Sequence, residues 1–202
     1  MSNDKKPGIS RGRKAAAGSL AAIVGFSAAA SLFVLVPKDE SGRTVEVELA
    51  DDGKPTVTHI RGKQYLKAYL DVAGIPTACD GIIKNIKMGQ TFTEEQCAAK
   101  LERELVIHAR GVMRCTPAFR NHPDKEAIGD TIAATVSLTY NIGIGGYCGS
   151  SAARAFNRGD WRHACDRFLP WNKARVRGRL RVVRGLKLRR ERERKLCLKS
   201  IA

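Results

Sequence analysis

Residues 65–81 read YLKAYLDVAGIPTACDG. One acid, Asp71, precedes Thr77 by six positions, inside a turn marked by Gly74 and Pro76. An acid and a hydroxyl residue at this spacing look like part of a catalytic site. The competing reading is that Asp71 caps the turn and Thr77 is a strand residue, since Asp before a Gly/Pro turn is common. Carboxylate chemistry usually needs a second acid, so the stretch offers one half of a site.

Outward from it, apolar residues at 65, 66, 69 and 70 follow a helical spacing that stops at Gly74. The following TACDGIIKNIKMGQT reads as short strands and turns. TFTEEQCAAKLERELVIHARGV predicts a helix, with Thr93 as cap and Gln96 at the capping-box position. AIGDTIAATVSLTYNIG predicts an apolar, central helix ending at Gly143. SSAARAFNRGDWRHACDRFLPW reads as two helices about a turn at NRGD, and RVVRGLKLRRERERKLCL as a basic helix. The sum is an α+β, mostly α, domain.

The N-terminus has a different character. Residues 6–14, KPGISRGRK, are basic, and residues 15–36, AAAGSLAAIVGFSAAASLFVLV, carry no charge. That length can span a bilayer as a helix, with the basic side in the cytoplasm and residue 37 onward outside. The segment is rich in Ala, Gly and Ser, so it would sit only marginally in lipid. SAAA at 27–30 resembles a signal-peptide cleavage site. The apolar run continues beyond it through SLFVLV, which favours an uncleaved, weak anchor. Residues 1–14 are then a cytoplasmic leader, 15–36 the anchor, 37–58 a linker with a short strand pair around DDGK, and 59–202 the globular domain.

The 202-residue chain has a net charge of +16, a pI near 10.0 and 43% hydrophobic residues. A core is within reach, and the charge predicts a polyanionic partner. The basic excess is concentrated in residues 171–202, which suits an anionic envelope surface. Nucleic acid is not expected, because an exported protein rarely meets it and the tail lacks interleaved aromatics. Six cysteines, at 79, 97, 115, 148, 165 and 197, follow the apolar segment and suggest disulfides in an oxidising compartment, against buried thiols as the alternative. Their pairing is open. His163 and Cys165 do not have zinc-ligand spacing, so no metal or cofactor is expected.

Four blocks together resemble the phage-type lysozymes of glycoside hydrolase family 24: LKAYLDVAGIPTACDG (66–81), AATVSLTYNIG (133–143), GDWRHACDRFLPWNKA (159–174) and RGLKLRRERERKLC (184–197). The weakly apolar N-terminus looks like the signal-anchor-release segment of endolysins that wait in the host inner membrane. The resemblance implies a lysozyme-like two-lobed domain and a monomeric, periplasmic muramidase. Its partner is peptidoglycan, cut between N-acetylmuramic acid and N-acetylglucosamine, with host lysis as the result. It also implies a motif of Glu at the end of the first helix, Asp nine residues later and Thr six residues after that.

Asp71 and Thr77 fit the last two positions, as the water-side carboxylate and its partner. The position nine before Asp71 is Gly62, its neighbours are Arg61 and Lys63, and no Glu stands from 49 to 93. His59, Glu46, Glu48, Asp51 and Asp52 are the nearby candidates for the acid. Without one, a non-catalytic wall-binding protein, or a membrane-active cationic protein, is the alternative. Tyr140 and Asn141 fall where the central helix faces the family's cleft, or else are a core tyrosine and a helix-end asparagine. Trp161 and Trp171 stack on sugars or are buried. Cys79 belongs to a structural disulfide or to a thiol that controls activity. RVRGRLR stands where the family has a Gly-rich turn.

Overall fold

The computed structural model describes residues 13–71 and 73–201. Most of the basic leader expected at 1–14 lies outside the described residues.

Residues 15–36 do not form one helix. Helix α1 spans Leu20–Val24 and α2 spans Phe26–Glu40. Between them Gly25 has φ 92°, a left-handed conformation that a side chain resists and that breaks the helical ladder. A Cβ there would also meet Glu126 Oε1 at 2.7 Å. Both new N-termini are capped by carboxylates from far along the chain. Leu20 N–H donates to Glu102 Oε1 at 3.2 Å, and Phe26 and Ser27 N–H donate to the two oxygens of Glu126 at 2.5 and 3.0 Å. Leu20, Val24, Leu32, Phe33 and Val36 are fully buried. Each such side chain contributes about 1.5–3 kcal/mol by leaving water. The segment is therefore core in the folded domain, and no helix among the described residues is long and apolar enough to cross a membrane.

Residues 37–58, expected as a linker with a short strand pair around DDGK, hold that strand pair and the end of a helix. Pro37–Glu40 complete α2, and β1 (Thr44–Leu49) pairs antiparallel with β2 (Pro55–Arg61). The alternating TVEVEL turns Val45 inward and Glu46 and Glu48 to solvent. The hairpin lies along α2, and its tip returns to α1: Ala16 N–H donates to Asp52 O at 2.7 Å.

Residues 65–70 are not helical either. Ala68 N–H donates to Gln90 O at 2.9 Å and Phe92 N–H to Leu66 O at 2.8 Å, which draws the stretch into extended pairing. β3 (Tyr69–Leu70) then pairs with β4 (Pro76–Thr77) across the Gly/Pro turn. The helical spacing there is coincidental, because the run is too short to nucleate before Gly74.

The remaining helices follow the sequence reading, except that the central one continues past Gly143 and the basic one begins only at Arg184. α3 (Glu94–Cys115) begins with the Thr93/Gln96 capping box. After α4 (Pro117–Arg120), α5 (Gly129–Cys148) runs through the core with a kink at Gly143, φ 77°. Its buried hydroxyls are satisfied: Thr131 donates to Cys197 O, and Thr135 and Thr139 to the carbonyls of Thr131 and Thr135 one turn back. α6 (Ser151–Asn157) and α7 (Trp161–Asp166) flank the turn at Asp160. β5 (Lys173–Val176) and β6 (Arg179–Val182) form a second hairpin, and α8 (Arg184–Lys199) closes on α5. Disulfides join Cys79 to Cys97, Cys115 to Cys148 and Cys165 to Cys197. The architecture is α+β and mostly helical.

Candidate active site

Three helices and one loop converge at the C-terminal end of α2. Glu40 is the last residue of that helix. Its carboxylate accepts from Arg189 Nη1 at 2.7 Å, and its side chain keeps 24% of its exposure. Arg189, near the start of α8, also faces Asp39 at 3.4 Å and Glu193 at 3.1 Å, and donates to Ser137 O on α5 at 3.3 Å. Burial works against its charge, yet Glu40, Glu193 and Asp39 outweigh it and raise the guanidinium pKa. Glu193 is held by Ser137 Oγ at 2.8 Å and by Arg190, and burial pushes its carboxyl up. The loop after Thr77 comes in from the other side. A Cβ on Gly81 would lie 3.6 Å from Glu40 Oε2, an ordinary contact distance that puts the loop backbone beside Glu40, and the φ of 77° at Gly81 favours glycine there.

The same loop is tied to the residue after the acid. Ser41 Oγ donates to Asp80 Oδ1 at 2.8 Å, and Arg43 grips both Asp80 oxygens at 2.7 and 2.8 Å while reaching Glu94 at 2.5 Å. Arg43 and Asp80 are buried and Glu94 is half-buried, so the ion pairs are rigid spacers between α2, the 77–81 loop and the start of α3.

Asp71 and Thr77 hold one turn. Asp71 Oδ1 accepts from Ala73 N–H at 2.8 Å and Ile75 N–H at 2.9 Å, while Ile75 O accepts from Asp71 N–H and Thr77 Oγ1, both at 3.0 Å. The turn-capping role is therefore present. It uses only one carboxylate oxygen; Asp71 Oδ2 has no hydrogen-bond partner among the described residues.

The position counted nine before Asp71 has a structural job of its own. Gly62 sits at the base of the first hairpin with φ 98°, and a Cβ there would meet Arg43 Cα at 2.8 Å. The chain leaves the helix after Glu40, runs out and back through the hairpin, and resumes beside its point of departure. The hairpin thereby separates Glu40 along the chain from the stretch that holds Asp71 and Thr77.

The other acid candidates lie elsewhere. Glu46 and Glu48 face solvent from β1. Asp51 and Asp52 are at the hairpin tip beside α1, the far end of a 15-residue helix from Glu40, about 22 Å along its axis. His59 is paired with Val45 in the hairpin, and its buried Nδ1 has no hydrogen-bond partner among the described residues.

Tyr140 and Asn141 flank the site on α5. Asn141 lines a cleft of about 380 Å³ together with Glu40, Arg189, Gly185 and Leu186. Tyr140 packs on His108 at 5.0 Å; burial first, then the charge of Glu40, pushes its phenol pKa up, so it stays a neutral donor. Trp161 packs into Phe119 and Phe156, which gives it the structural role. Cys79 is likewise structural, bonded to the first turn of α3.

The phage lysozyme family profile matches residues 62–193, well over half the chain. The chain belongs to the phage lysozyme family. As a phage lysozyme it is an enzyme, a glycoside hydrolase of the bacterial wall. It is 35% identical over 141 residues to the SAR-endolysin of Enterobacteria phage P21, covering 69% of this chain and 78% of that one. Among solved structures, the endolysin of Escherichia coli O157:H7 phage FAHEc1 matches with TM-score 0.65 and 26% identity over 84% of this chain and 92% of its own. The active form of P1 phage endolysin Lyz shares the fold, with TM-score 0.63 at 20% identity over 91% and 96% of the two chains. The family profile starts after the first hairpin and does not reach Glu40. The structural matches span more of this phage lysozyme than residues 62–202 can supply, so they include part of the chain before Gly62.

Proposed function

We propose that this phage lysozyme is a signal-anchor-release endolysin that hydrolyses the β-1,4 bond between N-acetylmuramic acid and N-acetylglucosamine, with Glu40 as general acid. The observation that carries the assignment is the place of Glu40: the end of the first long helix, on Arg189, against the backbone of the Gly81 loop and beside Asn141. Glu40 protonates the leaving sugar oxygen. Asp71 uses Oδ2 to orient the attacking water, and the Thr77 hydroxyl, whose proton is taken by Ile75 O, accepts from that water. Tyr140 and Asn141 bind the sugar chain. The non-catalytic wall-binding reading rested on the missing acid at position 62, and Glu40 removes its ground.

The relatives' description as SAR-endolysins and the 22 uncharged residues at 15–36 support a membrane stage before the folded one. In that reading the segment first holds the chain in the inner membrane with the domain in the periplasm. It then leaves the bilayer to become α1 and α2, and only then is Glu40 delivered to the cleft. The basic C-terminal part keeps the enzyme at the anionic envelope.

The test is digestion of purified peptidoglycan by the oxidised full chain, with the soluble fragments analysed by mass spectrometry. Reducing N-acetylmuramic acid ends are expected, with Glu40→Gln lowering their rate of release by about 10²–10⁴ and Asp71→Asn abolishing most of it, both in folded protein. Anhydro ends would replace the hydrolase by a transglycosylase. Full activity of Glu40→Gln would move the acid elsewhere.

A further inference from the structure

The second hairpin is unlike the rest of the molecule. Among the described residues β5 and β6 pair only with each other, joined by a tight turn at Arg177 and Gly178, and a hydrogen bond from Val183 N–H to Asn172 O closes the base at 2.9 Å. Seven of its eight strand residues are exposed. Leu180 is 66% exposed, Val182 56% and Val176 41%. Two-stranded hairpins of this kind are marginal in water because neither face is covered.

The register sets a cation opposite every one of these apolar side chains: Lys173 opposite Val182, Arg175 opposite Leu180 and Arg179 opposite Val176. Directly opposed side chains share a face, so both faces carry the same mixture. No Asp or Glu occurs between Asp166 and Glu191. Lys173, Arg175, Arg177, Arg179, Arg181 and Arg184 have no ion-pair partner among the described residues, whereas Arg189, Arg190, Arg192 and Arg194 of α8 are all paired. Within residues 171–202, the unneutralised charge is therefore concentrated on the hairpin and its root.

We propose that the β5–β6 hairpin is a lipid-docking element that seats on an anionic phospholipid surface. It deepens the envelope contact proposed above and is independent of the glycosidase chemistry. A carboxylate polymer would satisfy the arginines but would leave Leu180, Val176 and Val182 in water. A bilayer interface takes both kinds of side chain at once: the apolar groups enter the boundary of the acyl region while the guanidiniums hold phosphates. The long arginine stems allow both from either face of the hairpin. Such a contact would hold the enzyme at the membrane surface once its N-terminal segment is in the core.

The experiment is flotation of the oxidised full chain with vesicles of phosphatidylcholine alone or mixed with phosphatidylglycerol. Three proteins are compared: the parent, Arg175→Gln/Arg179→Gln/Arg181→Gln, and Leu180→Ser/Val182→Ser. All three carry the same N-terminal segment, so any binding through it cancels in the comparison. The arginine variant is expected to lose about 100-fold in partitioning to the anionic vesicles, and the apolar variant roughly tenfold. Release of reducing ends from peptidoglycan serves as the control for folding. Unchanged vesicle binding by the apolar variant would overturn the proposal. So would a parent that ignores anionic vesicles and sediments with purified peptidoglycan, which would assign the hairpin to the wall polymer.

Discussion

The relation between Gly62 and Glu40 gives a sharp test, because chain spacing and folded geometry disagree there. Spacing places the acid at 62; the fold places a hairpin closure there. Gly62→Ala forces a side chain onto a backbone at φ 98°, which costs about 1–2 kcal/mol. It also pushes Cβ to 2.8 Å from Arg43 Cα, a contact with backbone that cannot rotate away. Together these give a loss of roughly 2–4 kcal/mol, because Arg43 must shift and it carries the Asp80 and Glu94 pairs. Gly74→Ala is the control: its φ is 75° and a Cβ would meet nothing within 4 Å, so only the conformational part remains. For a domain of this size, thermal unfolding followed by circular dichroism should show Gly62→Ala melting about 5–15 °C lower, and Gly74→Ala about 2–6 °C lower. The double variant Glu40→Gln/Gly62→Glu should be destabilised and as inactive as Glu40→Gln alone. Equal melting of the two alanine variants would remove the steric argument, and recovery of activity in the double variant would refute the geometric assignment altogether.

Two further outcomes follow from the N-terminal helices. Phe33 is fully buried in α2, so Phe33→Ala should lower stability in urea titration by about 3–5 kcal/mol; a loss below 1 kcal/mol would mean that α2 is not core. For Glu126, burial opposes its charge, but the hydrogen bonds from Ser27 and Phe26 outweigh burial and lower its pKa. A lowered folded-state pKa means stability that is present above the unfolded carboxyl value and lost as pH falls through the folded one. Glu126→Gln should therefore destabilise at neutral pH and flatten the fall in melting temperature below about pH 4.5; an acid limb as steep as the parent's would exclude this cap as a contributor.

What was legible in the sequence was local. Thr93 and Gln96 announce the start of α3 because a capping box needs only four consecutive residues. The run from Ile132 to Leu138 announces a buried helix because no charged residue interrupts it. The cysteine pairing was not legible, since it depends on which helix ends meet. The misread stretch 65–70 failed because its partners, Gln90 and Phe92, are remote in sequence. Glu40 was hidden for the same reason. A signal did exist: TVEVEL and PTVTHI alternate about a DDGK turn, which marks a hairpin. Removing that hairpin from the count brings Glu40 close to the family spacing. The three residues that fasten the loop beside the acid, Ser41, Arg43 and Asp80, show no pattern along the chain at all.

Helix α3 is bonded near its start to Cys79, two residues past Thr77, and at its end to Cys148, the last residue of the helix that carries Tyr140 and Asn141. It is a strut of about 33 Å with a covalent pin at each end. Such a strut cannot slip to absorb an inserted or deleted residue: one residue turns the helix by about 100° and would swing one pin out of line with the other. The length of α3 is thereby a fixed dimension of the catalyst. Variation among its descendants should fall on the identity of its outward-facing residues, while the number of residues between Cys97 and Cys115 stays the same.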